Sequence, residues 1–356
     1  MRTRISRRRF LEYAAAGVSA VAISGIARAQ TAVQPPPKPL KPDEYALTSP
    51  VSIEVNARPL PWFDTRDRSH VRFGSLEYRS GLILTSPFRG FGGLSGLRLD
   101  AKGQRFIAIS DKGSWFTGRI VYKGREMVGL DDVEAAPMLG ADGRPITVRG
   151  WFDTESIALD GSLVYVGLER VNQVLRFDFS RGFTRALGEI VPLPPAARRL
   201  PYNKGLEALV WVPKGQPLAG TLIAFSERGL DASGNLMAFL LGGKTPGQFA
   251  VRRTDDFDVS DAVLLPSGAL LLLERKFSWL GGIGIRIRNI PLVSIAPAAV
   301  VDGPTIFSAD LGNEVDNMEG IDAHVTEEGE TVLTLVSDDN FSMIQRNLLL
   351  QFTLVE

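Results

Sequence analysis

The sequence of 356 residues contains no cysteine and only two histidines, His70 and His324. Without thiols there are no disulfides, thiolate metal sites, iron–sulfur clusters or cysteine nucleophiles. Two imidazoles are too few for a His-rich zinc or non-haem iron centre. A Ser-His-Asp triad would have to use one of them, and neither stands beside a serine turn. An excess of one charge is also missing. Lys+Arg and Asp+Glu both number 40, so nothing draws the chain to nucleic acid. Long segments with a 3.6-residue apolar period are absent too, which argues against a helical domain.

What is present begins with an address. Ser6-Arg7-Arg8-Arg9-Phe10-Leu11 resembles a twin-arginine export signal, followed by a soft apolar stretch from Ala14 to Ile26 and the small-x-small pattern Ala27-Arg28-Ala29. The apolar stretch is too short and too rich in Gly and Ala to span a membrane stably. Residues 1–29 are expected to be a signal peptide read by the twin-arginine machinery, which places the protein in the periplasm or outside the cell. Six of the basic residues and one acid lie in that segment, which leaves 34 basic against 39 acidic residues, a net charge of −5. Residues 30–60, with Gln34-Pro35-Pro36-Pro37-Lys38-Pro39, read as an extended linker.

The remainder, 61–356, reads as one all-β domain. Short apolar runs such as Arg105–Ile109, Leu163–Leu168, Thr221–Phe225, Ala269–Leu273 and Thr331–Leu335 are separated by turn sequences, Asp160-Gly161 and Pro266-Ser267-Gly268 among them. The strands recur in pairs. The first of each pair opens on Ser95, Glu155, Glu207, Asp261 or Glu319, spaced by fifty-odd residues. The second ends on Asp111, Glu169, Glu227, Glu274 or Asp338. A period of that size in an all-strand chain points to a β-propeller with one sheet per blade. Five units are visible, and Val71–Leu84 together with Leu348–Val355 would supply a sixth. The expected fold is a single six-bladed propeller closed by strands from both ends of the chain; seven blades or two β-sandwiches are the alternatives.

Innermost strands line a propeller's channel, so the recurring acids converge. Like charges at short range raise one another's pKa unless they are compensated. The neighbouring Lys112, Arg170, Arg228 and Arg275 could compensate them, and so could a divalent cation, for which carboxylate oxygens suit Ca²⁺, Mg²⁺ or Mn²⁺. Acid–Arg pairs repeated once per blade could equally be salt bridges that set the register of the ring. Other motifs fail. Gly93-Leu94-Ser95-Gly96-Leu97 lacks the last glycine of a nucleophile elbow, and Asp255-Asp256-Phe257-Asp258 lacks the glycine and glutamate of an EF-hand.

Gly92-Gly93-Leu94-Ser95-Gly96-Leu97, Ser110-Asp111-Lys112-Gly113, Asp153-Thr154-Glu155-Ser156, Asn203-Lys204-Gly205-Leu206-Glu207-Ala208, Leu273-Glu274-Arg275, Asn317-Met318-Glu319-Gly320 and Ser337-Asp338-Asp339-Asn340 together resemble the phytase-like family, also described as "esterase-like activity of phytase". The resemblance runs from about Phe73 to the C-terminus. It implies a propeller hydrolase acting on phosphate esters through Asp and Glu side chains. On that reading Glu155, Glu207 and Glu319 are the catalytic residues. Asp111, Glu155, Glu207, Glu227, Glu319 and Asp338 hold a divalent cation, most naturally Ca²⁺, and Lys112, Arg170, Arg228 and Arg275 contact a small phosphorylated substrate. The protein is expected to act as a monomer, without nucleic acid. The alternative is a non-catalytic propeller that binds a small ligand or a protein partner.

Overall fold

In the run Ala269–Leu273 apolar side chains occupy every position, and both sets are buried. Leu270 and Leu272 pack with Val210, Ile223 and Phe225, while Leu271 and Leu273 pack with Ile321, Leu333 and Phe352. Successive strand side chains point to opposite faces of a sheet, so a strand apolar throughout needs a covering layer on each side. Here both covers are neighbouring sheets.

The computed structural model describes residues 46–278 and 282–355. The expected signal peptide, and the linker up to residue 45, lie outside them. The described strands form five sheets, with inner strands Leu94–Leu99, Thr154–Asp160, Leu206–Trp211, Asp258–Leu264 and Asn317–Val325 for blades 1 to 5. Each inner strand touches the next, and the fifth touches the first, so the ring is closed. Five apolar clusters fill the five gaps between adjacent blades. In the gap between blades 1 and 2 Trp115 is fully buried and meets Phe177 edge-on at 5.0 Å. Only short 3-10 turns interrupt the strands among the described residues.

The blades number five, not six. The two terminal segments assigned to a sixth blade instead complete the fifth. Leu76–Thr85 pairs antiparallel with Asn347–Leu354, which pairs with Thr331–Asp338. The last repeat unit supplies only three strands before the chain ends, and the N-terminal strand continues its sheet. Closure by both ends of the chain, which protects the edges, is therefore present. Strands Val51–Ser52 and Asn56–Leu60 extend blades 1 and 5, so ordered structure starts before residue 61.

Candidate metal and active site

Every inner strand carries the same irregularity. Its pairing slips by one residue near its start, leaving Ser95, Glu155, Glu207, Ser260 and Glu319 as the extra residue of a β-bulge in blades 1 to 5. A bulge bends its strand and re-aims the extra side chain. On or just past the second strand the position following the bulge holds Asp111, Glu169, Glu227, Arg275 and Asp338, the first two being the turn residues that follow it. In the first three blades this residue's N–H donates to the carbonyl two positions before the bulge: Asp111 to Gly93 at 2.9 Å, Glu169 to Asp153 at 2.9 Å and Glu227 to Gly205 at 2.8 Å.

This register corrects the sequence reading of blade 4. Asp261 and Glu274 are each one residue away from the acids of the other blades, whose equivalents are Ser260 and Arg275. Glu274 is fully buried away from the site, receiving hydrogen bonds from Arg286 at 2.7 Å and from Arg288 at 2.6 and 2.7 Å. It is a cross-strand ion pair inside its own sheet. Asp261 lies deeper in the channel, paired with Arg98 from blade 1 through bonds of 2.8 and 3.0 Å.

Arg98 plugs the ring. Its guanidinium also donates to the carbonyls of Leu209 in blade 3, Ala262 in blade 4 and Ile321 in blade 5. Removing one partner of a buried pair strands the other charge, at about 3–5 kcal/mol. Arg98→Met is expected to lose that much stability in urea unfolding, and adding Asp261→Leu should recover part of it. A loss below about 1 kcal/mol would show that the pair does not hold the blades together.

Above the plug opens a cavity of about 670 Å³ lined by Glu155, Glu207 and Glu319 from the bulges and by Asp111, Glu169, Glu227, Arg275 and Asp338 from the second strands. Asp153, Asp258 and Asn317, two residues before a bulge, line it too, as do Asn203, Lys204, Arg228 and Lys276. Nine carboxylates therefore face four basic groups. Of the four cations expected to meet substrate, Arg228 and Arg275 are in the lining. Lys112 and Arg170 are not. Lys112 pairs with Asp111 at 2.9 Å, and Arg170 stacks on Phe152 at 4.1 Å and donates to the Tyr202 hydroxyl. The sequence reading gave no role to Asp153, Asp258, Asn317, Lys204 or Lys276. A second repeat, two positions upstream of the first, was the available signal for the first three.

The charge imbalance shows in the acidities. Burial, then the carboxylates of Glu319, Asp111 and Glu169, push Glu155 well above the ordinary range. Burial, then Glu169, Glu155 and Glu227, do the same to Glu207. Burial lifts Glu319 to about 8 against the pull of Arg275, and lifts Asp338 to about 7 although the Asn340 N–H donates to it at 2.6 Å. Glu169 is raised by burial, partly offset by the Gly205 N–H at 2.9 Å. Arg275 replaces the acid of blade 4 and donates to Glu319 and Asn317, with Glu227 at 3.6 Å. Burial opposes its charge, but Glu319, Glu207 and Glu227 outweigh this and hold it more firmly protonated.

Glu169, Glu207 and Glu227 bring one oxygen each within 4.8 Å of one another, and all three are buried. Lys204 bonds Glu227 at 2.5 Å, whereas Glu207 shares a hydrogen bond with Glu169 and otherwise faces Glu155 and Glu227. Such an oxygen-only donor set suits a hard divalent cation.

No curated protein matches the chain. Among solved structures, the Myxococcus xanthus glutaminyl cyclase is 12% identical, with the match covering 74% of this chain and 92% of that one at a TM-score of 0.38. U3-55K is 10% identical over 74% and 96%, TM-score 0.38, and a Bacteroides caccae protein of unknown function is 12% identical over 67% and 67%, TM-score 0.30. The family model for phytase-like proteins, described as "esterase-like activity of phytase", matches residues 89–341, a span that contains every bulge and every carboxylate of the cavity. The chain belongs to the phytase-like family.

Proposed function

We propose that this protein is a metal-dependent phosphoester hydrolase. The observation that carries the reading is the buried trio Glu169, Glu207 and Glu227 in a cavity whose carboxylates outnumber its cations nine to four. These three would hold a divalent cation, Ca²⁺ being the natural candidate, with Glu155 adjacent. A bound cation would neutralise phosphate charge and acidify an attacking water.

The protein's own groups supply the rest. Lys204, Arg228 and Lys276 stand in the wall as point charges for phosphate oxygens. Glu155 is buried among other acids, which raises its pKa well above the ordinary carboxylate range, and a bound cation beside it would draw it back toward the ionised form that a general base needs. Glu319 is committed to Arg275 and Asn317, so it orients Arg275 toward the cavity rather than moving a proton. Asp111 and Asp338, on the opposite side, would be further oxygen ligands.

We also place the protein in the periplasm, on the strength of residues 1–29. No helix among the described residues is long and apolar enough to cross a membrane.

The test is phosphate release from phytate and from simple phosphomonoesters, with Ca²⁺, Mg²⁺ or Mn²⁺ added and with EDTA. Turnover is expected to fall by at least roughly 100-fold on chelation, the scale at which losing metal-site groups is felt. Absence of turnover with every metal would overturn the hydrolase reading. Tight cation binding without turnover would leave a ligand-binding propeller.

A further inference from the structure

Six large apolar side chains of the described residues are more than 60% exposed: Val148, Phe277, Val293, Leu311, Met343 and Ile344. One of the six, Phe277, lines the acidic cavity, and three more, Leu311, Met343 and Ile344, lie against or between residues next to its lining. Phe277 stands opposite Ile283 on the paired strand. Leu311 packs over Gly282, where an added Cβ would come 2.3 Å from its Cδ1. Met343 and Ile344 sit in the turn between Asn340 and Gln345, and both of those residues line the cavity. Blades 4 and 5 thus give the mouth an apolar edge. On the other side the connection between blades 2 and 3 presents Asn203 and Lys204.

Singly exposed apolar residues are ordinary, but a contiguous set beside a binding cavity marks an interaction site. The set is a handful of side chains continuous with the cavity wall, far short of the roughly 20–30 residues a stable protein interface uses. Its size fits part of a small molecule whose charged end lies among the acids and cations below. We propose that this edge is the subsite for the alcohol portion of the substrate, and that the preferred esters carry an alkyl or aryl alcohol rather than a polyol. The proposal rests on the phosphoester reading and adds the substrate class to it. A polyhydroxylated ring would lose water at Phe277, Ile283, Leu311 and Met343 and gain no hydrogen bond there, whereas an alkyl chain gains by covering them.

The experiment is calorimetric titration of the Ca²⁺-loaded protein with phosphonates of increasing chain length, methyl to octyl, which need no turnover. Affinity is expected to rise by roughly two- to fourfold per methylene over the first few carbons, full burial of a methylene being worth about fourfold. The double variant Phe277→Ser/Met343→Ser should flatten this slope, and Val293→Ser, equally exposed but away from the mouth, should keep it. A flat slope in the unaltered protein, with methylphosphonate still bound, would overturn the subsite and leave the phosphoester reading standing. A slope that survives the double variant would overturn it as well. Failure to bind any phosphonate while Ca²⁺ still binds would remove the phosphoester reading and the subsite with it. Co-sedimentation with neutral phosphatidylcholine vesicles that depends on Phe277 and Met343, in place of a chain-length slope, would assign the edge to a membrane surface instead.

Discussion

Glu207→Gln is expected to weaken Ca²⁺ binding by at least about 100-fold and, in the same protein, to raise the melting temperature of the cation-free form. The number of charged ligands sets affinity in all-oxygen sites, and even groups that only support a ligand are worth about 10–100-fold. The gain in stability has the same origin. Glu207 is 4% exposed and faces Glu169, Glu155 and Glu227. An amide of the same shape removes that repulsion and donates to a neighbouring carboxylate. Relief of about 1–2 kcal/mol corresponds to roughly 1.5–3 °C for a chain of this size. Glu274→Gln is the control, because the same chemical change at a buried acid should have the opposite result. There the acid is the buried partner of both Arg286 and Arg288, so its removal leaves them only the more exposed Asp255 and Asp302, costs up to about 3–5 kcal/mol and leaves Ca²⁺ affinity unchanged. Titration after chelation and thermal melts in EDTA read both quantities. If Glu207→Gln lost stability and kept its Ca²⁺ affinity, the cavity acids would be structural.

The contrast between Glu207 and Glu274 also marks how far the sequence could be read. The strands were legible because each apolar run ends at a turn, and the recurring acids were legible because three of the five blades carry one at both positions and blade 1 at one of them. Blade 4 was misread by one residue for a physical reason. Leu270 to Leu273 are buried on both faces of the sheet, so alternation gives no cue to which face is which. Ser260-Asp261 and Glu274-Arg275 each offer an acid in one of the two registers, and only the bulge opposite Glu274 decides between them. The consequence is chemical, since the true register replaces an expected acid with Arg275. The blade count failed because Leu76–Thr85 and Asn347–Leu354 read as strands without revealing which sheet they join. Lys112 and Arg170 were placed at the site by adjacency to Asp111 and Glu169; all four stand in the turns that follow the second strands, where Lys112 pairs with Asp111 and Arg170 stacks on Phe152, so the two cations sit beside lining carboxylates without being in the cavity lining themselves.

Without added metal, stability is expected to fall as pH rises from about 4 to 8, and Ca²⁺ should remove most of that fall. Burial lifts Asp322 to about 6, Asp338 to about 7 and Glu319 to about 8, with Glu155 and Glu207 also well above their ordinary value. Each of these carboxyls is raised in the folded protein, so the fold keeps a proton that the unfolded chain releases near pH 4. Stability is therefore highest below that pH and drops as pH climbs toward the folded value, by about 1.4 kcal/mol per unit for each group. Asp64 is shifted the other way, down to about 2 by its bond to His70, and titrates below this window. A cation in the cavity replaces the retained protons, so its affinity should rise roughly tenfold per pH unit for each proton it releases. Asp322 lies at the opposite end of the channel, where the Leu99 N–H donates to it at 2.6 Å and Arg98 faces it. No cation in the upper cavity reaches it. A residual slope between pH 4 and 6 should survive saturating Ca²⁺, while the slope from pH 6 to 8 should vanish. Melting temperatures at pH 5, 6, 7 and 8, in EDTA and in excess Ca²⁺, separate the two ends of the channel. A flat EDTA profile across that range would mean that the carboxylates are ionised and compensated without a metal, which would remove the electrostatic reason for a cation in the cavity.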